Sequence, residues 1–380
     1  MRHKKLVLSF FSLFFTISTL FVFILWFVDP LGLYHKPYFC KNEIFASNNM
    51  RLAIPGLIKH NDFDSIVFGT SMLENTSARE ASYYLGGKFM NLSFPNADYY
   101  ERDLVLNYLL RHRKIKKILY SLDPDKFFFQ RKGLKSYPPK HFVYLYDKNP
   151  FNDIKAYLND KMLKKIFSFG FSCKVSDPDR PSAWIRNKKY MARFNGFENW
   201  LKDRNDKEIV KLHIEDIIDS GKFILSGEEE DLSDIEELTK KSIQYIDEYL
   251  IKNVKKYPNI EFITFIPPHS RLKDSMIVKA YHSKFLTVKE SYRYIVTASA
   301  FYKNLKIYGW GNLEYQNDIK NYRDLVHYGP DMNTMMLQYI HDDFGRLTLD
   351  NFDEYYEQYE ENARAFDFMP YYEQAIKDLK

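Results

Sequence analysis

Residues Leu6 to Val28 form one unbroken apolar run without a charge, a proline or a glycine. As a helix this run extends for about 35 Å, enough to cross roughly 30 Å of hydrocarbon. Its hydroxyls, Ser9, Ser12, Thr16, Ser18 and Thr19, can bond back to helix carbonyls. Trp26 falls near one end, where an interfacial aromatic is expected. After Val28 come Asp29, Pro30, Leu31 and Gly32, which do not resemble a small-residue cleavage site. The pattern therefore predicts an uncleaved signal anchor over 6–28. Arg2, Lys4 and Lys5 precede the run and Asp29 follows it. This asymmetry predicts a cytoplasmic stretch over 1–5 and a single-pass protein of the cell membrane, the remaining chain lying outside.

Beyond an irregular lead-in over 29–60, the apolar runs shorten to strand length and alternate with helical periods. Strands are expected at Ser65 to Phe68, Phe89 to Leu92, Ile118 to Leu122, Phe262 to Ile266 and Leu305 to Tyr308. Helices are expected over Ser71 to Leu85 and Tyr99 to Arg111. A third runs from Ile235 to Val254, opened by a Ser233–Glu236 capping box and stopped by Pro258. This alternation predicts an α/β domain of three layers, α/β/α, around a mostly parallel sheet. The domain covers 61–345, carries an insertion around 129–257, and is followed by a helical segment over 346–380.

The composition narrows the function. Lys+Arg 55 against Asp+Glu 50 leaves a formal charge of +5, part of it in the cytoplasmic tail. The exported part is close to neutral, so nucleic acid is not an expected partner. There is no G-x-G-x-x-G and no P-loop motif. Cys40 and Cys173 share an oxidising compartment on this reading and can pair or stay free. No metal-ligand spacing accompanies them.

Candidate chemistry lies near strand ends. Gly69-Thr70-Ser71 follows the first strand and puts a serine at the carboxyl end of a parallel strand, where open α/β sheets place ligands. Alternatively, Ser71 is a plain N-cap completed by Glu74. Asp324-Leu325-Val326-His327 follows the last strand. A carboxylate and an imidazole three residues apart can face one side, the first fixing the tautomer of the second. Acyl transfer needs this division between nucleophile, base and orienting group. After the fourth strand, Pro267-Pro268-His269-Ser270-Arg271 offers His269 and Arg271 as groups for an anionic or sugar moiety, or a rigid loop. Tyr355, Tyr356 and Tyr359 can line a carbohydrate groove or pack a C-terminal helix.

With these blocks over about 60–345, the chain resembles the SGNH/GDSL hydrolase superfamily. The likeness is to its membrane-anchored, exported branch of DltD-like proteins and polysaccharide O-acetyltransferases. The resemblance implies Ser71 as nucleophile, His327 as base and Asp324 as its orienting acid, without metal or organic cofactor. The family's second block supplies an oxyanion-hole glycine, and Asn96 stands near that place. The third block supplies an asparagine, and here Asp123 follows the strand instead. An ionised Asp123 repels a developing oxyanion, or else orients a neighbouring group or substrate. Asn75 is then a candidate replacement donor. The implied function is serine-dependent acyl transfer to an extracytoplasmic glycan or cell-envelope polymer, with a membrane-bound O-acyltransferase as possible acyl source. The alternatives are an esterase of such a polymer and an inactive scaffold of an envelope-modification complex.

Overall fold

Five strands, β1 Ser65–Phe68, β2 Phe89–Asn91, β3 Lys117–Ser121, β4 Glu261–Ile266 and β5 Leu305–Gly309, build one sheet. All neighbours pair in parallel, in the order β2-β1-β3-β4-β5. The computed structural model describes residues 2–36, 49–127, 138–167, 177, 179–203 and 208–377. Cys40 and Cys173, and any pairing between them, lie outside these residues.

Helices α1 Arg2–Val28 and α2 Met50–His60 precede the sheet. Helices α3 Ala78–Leu85 and α4 Tyr99–His112 connect the first three strands. Between β3 and β4 run α5 Asp160–Phe167, α6 Lys188–Met191, α7 Phe197–Lys202, α8 Glu208–Ser226, α9 Ile235–Ile246 and α10 Lys252–Lys256. A π turn at Asp247–Ile251 joins the last two. Helices α11 Arg271–Ala280 and α12 His282–Phe301 lead to β5. After it come α13 Pro330–His341, α14 Phe352–Ala365 and α15 Met369–Lys377.

The chain divides into two compact units. The first comprises Met1–Asp62, Leu104–Arg113 and Lys132–Pro178. Within it, His3–Val28 is long and apolar enough to cross a membrane, and most of its apolar side chains are exposed, Leu25 being buried. Asp29 ends the helix with φ 36°. Its carboxylate accepts the backbone N–H groups of Leu33, Tyr34 and His35 and the Tyr157 hydroxyl. The lead-in is less irregular than its sequence pattern suggests, because Asn49 caps α2. A Cβ on Gly56 would meet the Leu31 carbonyl, so glycine permits that close approach.

The second unit, Phe63–Asp103, Lys114–Arg131 and Asp179–Lys380, holds the sheet. Every residue of β1 and β2 is buried rather than every second one, as expected when both faces of a parallel sheet are covered. Val67, Leu119, Ile263 and Phe265 share a core with apolar residues of α3, α8, α11 and α13. Tyr120 stacks obliquely on Tyr99 of α4, and the Tyr292 hydroxyl of α12 donates to the Leu122 carbonyl.

One expected helix start is displaced, and a second helix lacks its expected capping box. Residues 71–75 form a turn, and α3 begins only at Ala78. The reason is a better cap. Ser77 Oγ accepts the Glu80 N–H, while the Asp179 carboxylate accepts from Ser77 Oγ at 2.9 Å and from the Arg79 N–H at 2.7 Å. A carboxylate from 102 residues away thus satisfies the first turn of α3 and complements its dipole. Ser71 and Glu74 form no capping box. Nor do Ser233 and Glu236: α9 starts from Asp234 without a side-chain cap.

Gly69 is required by close packing, because a Cβ there would lie 2.3 Å from Ser121 Oγ and 2.9 Å from Leu73. Gly69→Ala should lower unfolding stability by about 1–3 kcal/mol, the usual cost of overpacking. Urea unfolding of the full chain in detergent measures this, and an unchanged midpoint would contradict the packing argument.

Candidate active site

The sheet order reverses beside β1: the chain passes from β1 to β2 on one side and returns to β3 on the other. Ligands of open α/β sheets bind beyond the carboxyl ends at such a point. The loops after β1 and β3 meet there. Thr70 Oγ1 donates to Asp123 Oδ1 at 2.6 Å, and Ser121 Oγ donates to Asp123 Oδ2 at 2.6 Å. The fully buried Arg102 places Nη2 3.6 Å from Asp123 and donates from Nη1 to the Ser121 carbonyl at 2.6 Å. Its guanidinium lies between the Tyr99 and Tyr120 rings, 4.4 and 4.3 Å from their centroids.

Ser71 stands next to this knot, partly exposed. Ser71 Oγ is 2.8 Å from His327 Nε2, across 256 residues of chain. His327 Nδ1 lies 2.8 Å from both carboxylate oxygens of Asp324. Asp324 Oδ1 also accepts the backbone N–H groups of Val326 at 3.1 Å and His327 at 2.9 Å. The turn therefore wraps around its own carboxylate, which accounts for the three-residue spacing. The same turn is tied to the start of α11, where Ser270 Oγ donates to the Leu325 carbonyl at 2.7 Å.

Burial alone would raise the Asp324 carboxyl, but His327, Arg323 and His213 hold it well below the usual carboxylate range. Burial pushes the His327 imidazole below its usual range, against the pull of Asp324. Near neutral pH the pair is a carboxylate and a neutral imidazole. With Nδ1–H donated to Asp324, Nε2 carries the lone pair that faces the Ser71 hydroxyl. This arrangement can take a proton from Ser71 and return it to a leaving group.

The sequence reading missed several contributors. Arg323 Nε sits 3.6 Å from Asp324 Oδ2, and its guanidinium stacks 3.8 Å over Trp184 and 4.4 Å over Tyr190. Trp184 Nε1 donates to the Ser71 carbonyl at 2.9 Å, and its ring meets His327 edge to face. His213 of α8 places Nδ1 4.0 Å from Asp324. Burial lowers its pKa as well, which disfavours a competing cation there. Arg323 was visible as the neighbour of Asp324. Trp184 and His213 belong to the insertion, where no local pattern singles them out.

The remaining candidates separate. Asn96 adopts φ 57°, a left-handed conformation that asparagine tolerates better than most non-glycine residues. Its side-chain oxygen accepts from Lys126, which joins the loops after β2 and β3. Asn75 is buried in the turn after Ser71 and not on a helix. Its Oδ1 accepts the Ile185 N–H at 3.3 Å, while Nδ2 has no partner among the described residues. Both Asp123 oxygens are engaged, so this carboxylate orients Thr70 and Ser121. His269 is buried, and burial takes its imidazole down to about 4. Arg271 does not reach for a ligand. Its guanidinium bonds Asn317 Oδ1 at 3.0 Å and the Gly311 carbonyl at 2.8 Å, beside Asp274. The C-terminal tyrosines pack: Tyr359 donates to Asp274 at 2.6 Å and Tyr355 accepts the Gly311 N–H. They and His269 line a small, partly open cavity with Pro124 and Tyr292.

Two outcomes follow from these contacts. Asp123→Asn leaves the buried Arg102 without its counter-charge, so stability should fall by about 3–5 kcal/mol. A full-length variant with the wild-type melting point would contradict this. In a proton-detected titration of the imidazoles, His327 should titrate below the usual histidine range. Asp324→Asn should move that midpoint lower still, because the carboxylate is what raises it; an upward shift would refute the assigned electrostatics.

No protein-family model, no curated protein and no solved structure matches the chain.

Proposed function

We propose that this protein is a serine acyltransferase of SGNH-like, three-layer α/β/α architecture that O-acylates an extracytoplasmic glycan or cell-envelope polymer. The observation that carries the proposal is the continuous relay from Ser71 Oγ through His327 to the ionised Asp324, with both links at 2.8 Å. On this reading α1 is a single-pass anchor with its N-terminus in the cytoplasm. A membrane-bound O-acyltransferase is the proposed acyl donor.

The chemistry follows from the groups in place. Ser71 Oγ attacks the acyl carbonyl carbon while its proton passes to His327 Nε2. Asp324 stabilises the imidazolium that forms. The tetrahedral oxyanion needs donors that are not already engaged. The Ser71 and Asn96 backbone N–H groups make no hydrogen bond among the described residues, and Asn75 Nδ2 is buried without a partner. These replace the family's glycine and asparagine donors. Collapse of the intermediate expels the donor's leaving group, which takes the proton from His327. A sugar hydroxyl then gives its proton to His327 and attacks the acyl-serine, and collapse of this second intermediate returns that proton to Ser71 Oγ as the acylated polymer leaves. Asp123 need not repel the oxyanion, because its charge is compensated by Arg102 and bonded by two hydroxyls.

Ser71→Ala, His327→Ala and Asp324→Asn should each lower acylation roughly 10⁴-fold, and combining them should add little. The measurement is the acyl content of the envelope polymer in a deletion strain complemented with each variant. Labelling of Ser71 by a serine-directed acyl probe runs alongside. Full modification with Ser71→Ala, together with an unlabelled Ser71 in the wild type, would overturn the proposal in favour of a scaffold.

A further inference from the structure

The first unit exposes apolar side chains outside the membrane-length helix. Leu158 is 52% and Phe167 43% exposed, at the two ends of a short segment that contains α5. This segment is braced on α1 at two levels. At the outer end, the Tyr157 hydroxyl donates to the Asp29 carboxylate. Deeper, Phe167 stacks on Phe21 with ring centroids 5.9 Å apart and an interplanar angle of 20°. Asp29 and Phe21 are eight residues apart on the helix, or about 12 Å. The eight residues of α5 also span about 12 Å, the same distance that separates the two points at which the segment meets α1.

The sequence of α5, DKMLKKIF, is amphipathic: Lys161, Lys164 and Lys165 alternate with Met162, Leu163, Ile166 and Phe167. Lysine stems on such a helix can reach back to the headgroups while its apolar side chains enter lipid. Met162 and Ile166 are buried within the unit, which leaves the Phe167 ring facing outward. An exposed ring at that level, flush with the apolar surface of α1, would be costly in water. It is favourable where the surroundings are hydrocarbon.

We propose that residues 158–167 enter the outer leaflet beside α1, with Phe167 at acyl-chain depth and Leu158 at the headgroup boundary. The occupant of this surface is lipid, because the surface continues that of α1. This rests on α1 crossing the membrane and is independent of the acyl-transfer chemistry. It gives the anchor a second lipid contact that restricts rotation about α1.

The test uses the full chain with Cys40 and Cys173 replaced by serine, reconstituted in vesicles of equal parts phosphatidylcholine and phosphatidylglycerol. Single cysteines replace Val22, Leu158 or Phe167 and carry a nitroxide. Relaxation by oxygen and by a water-soluble nickel chelate then reports depth. The expected result is an oxygen-to-nickel ratio at Phe167 shifted to that of Val22 and a smaller ratio at Leu158. A nickel-accessible Phe167 with a lipid-exposed Val22 overturns the proposal and leaves the anchor standing. Water access at both positions removes the anchor as well. Protection of Phe167 from both reagents overturns it in favour of a protein partner. Because a label at Phe167 removes its stack on Phe21, the unmodified chain is also treated with a phospholipid bearing an acyl-chain diazirine. Adducts on the 158–167 peptide are expected, and their absence while α1 is labelled overturns the proposal.

Discussion

Asp324 must remain ionised while almost wholly excluded from water, and much of the second unit serves that constraint. Burying a lone carboxylate costs several kcal/mol unless charge and hydrogen bonds compensate. Compensation comes from three directions: two backbone N–H groups of its own turn, the His327 ring and Arg323. Because the turn supplies part of it, the carboxylate fixes the backbone that carries His327. Because Ser270 is bonded to Leu325, the same turn is locked to the start of α11 beyond β4. The position of the His327 ring relative to the sheet is therefore set by the fold itself.

Ser71, the proposed nucleophile, is positioned by a second buried charge. Asp123 joins Thr70 and Ser121 across the switch point, and Arg102 neutralises it from within α4. Thr70 immediately precedes Ser71, so its side-chain bond holds the turn that presents the serine. Gly69 allows this turn to lie against Ser121. A substitution that looks unfavourable for an oxyanion hole, aspartate where the resembled family has asparagine, thus supports the backbone instead.

The segment after Asp179 connects the two halves of the site. Asp179 caps α3, Ile185 bonds Asn75, and Trp184 reaches the Ser71 carbonyl while supporting Arg323. One indole therefore touches the surroundings of both the serine and the carboxylate. This couples the insertion to the proposed chemistry although it contributes no reacting group.

Local pattern alone determined the five strands to within a residue or two, since strands buried on both faces read as continuous apolar runs. It also determined the long apolar α1 and picked out Ser71, Asp324 and His327, whose setting after strand ends is visible along the chain. The tertiary structure decided everything that depends on a distant partner. Helix α3 starts at Ala78 and not at Ser71 because Asp179 supplies its cap. Arg271 is structural because Gly311 and Asn317 converge on it, and Asp123 is an anchor because Arg102 lies beneath it. His213, Trp184 and the stack of Phe167 on Phe21 had no local signature. Periodicity and turn chemistry are properties of neighbouring residues, whereas the compensation of a buried charge depends on which residues the fold brings within hydrogen-bonding distance.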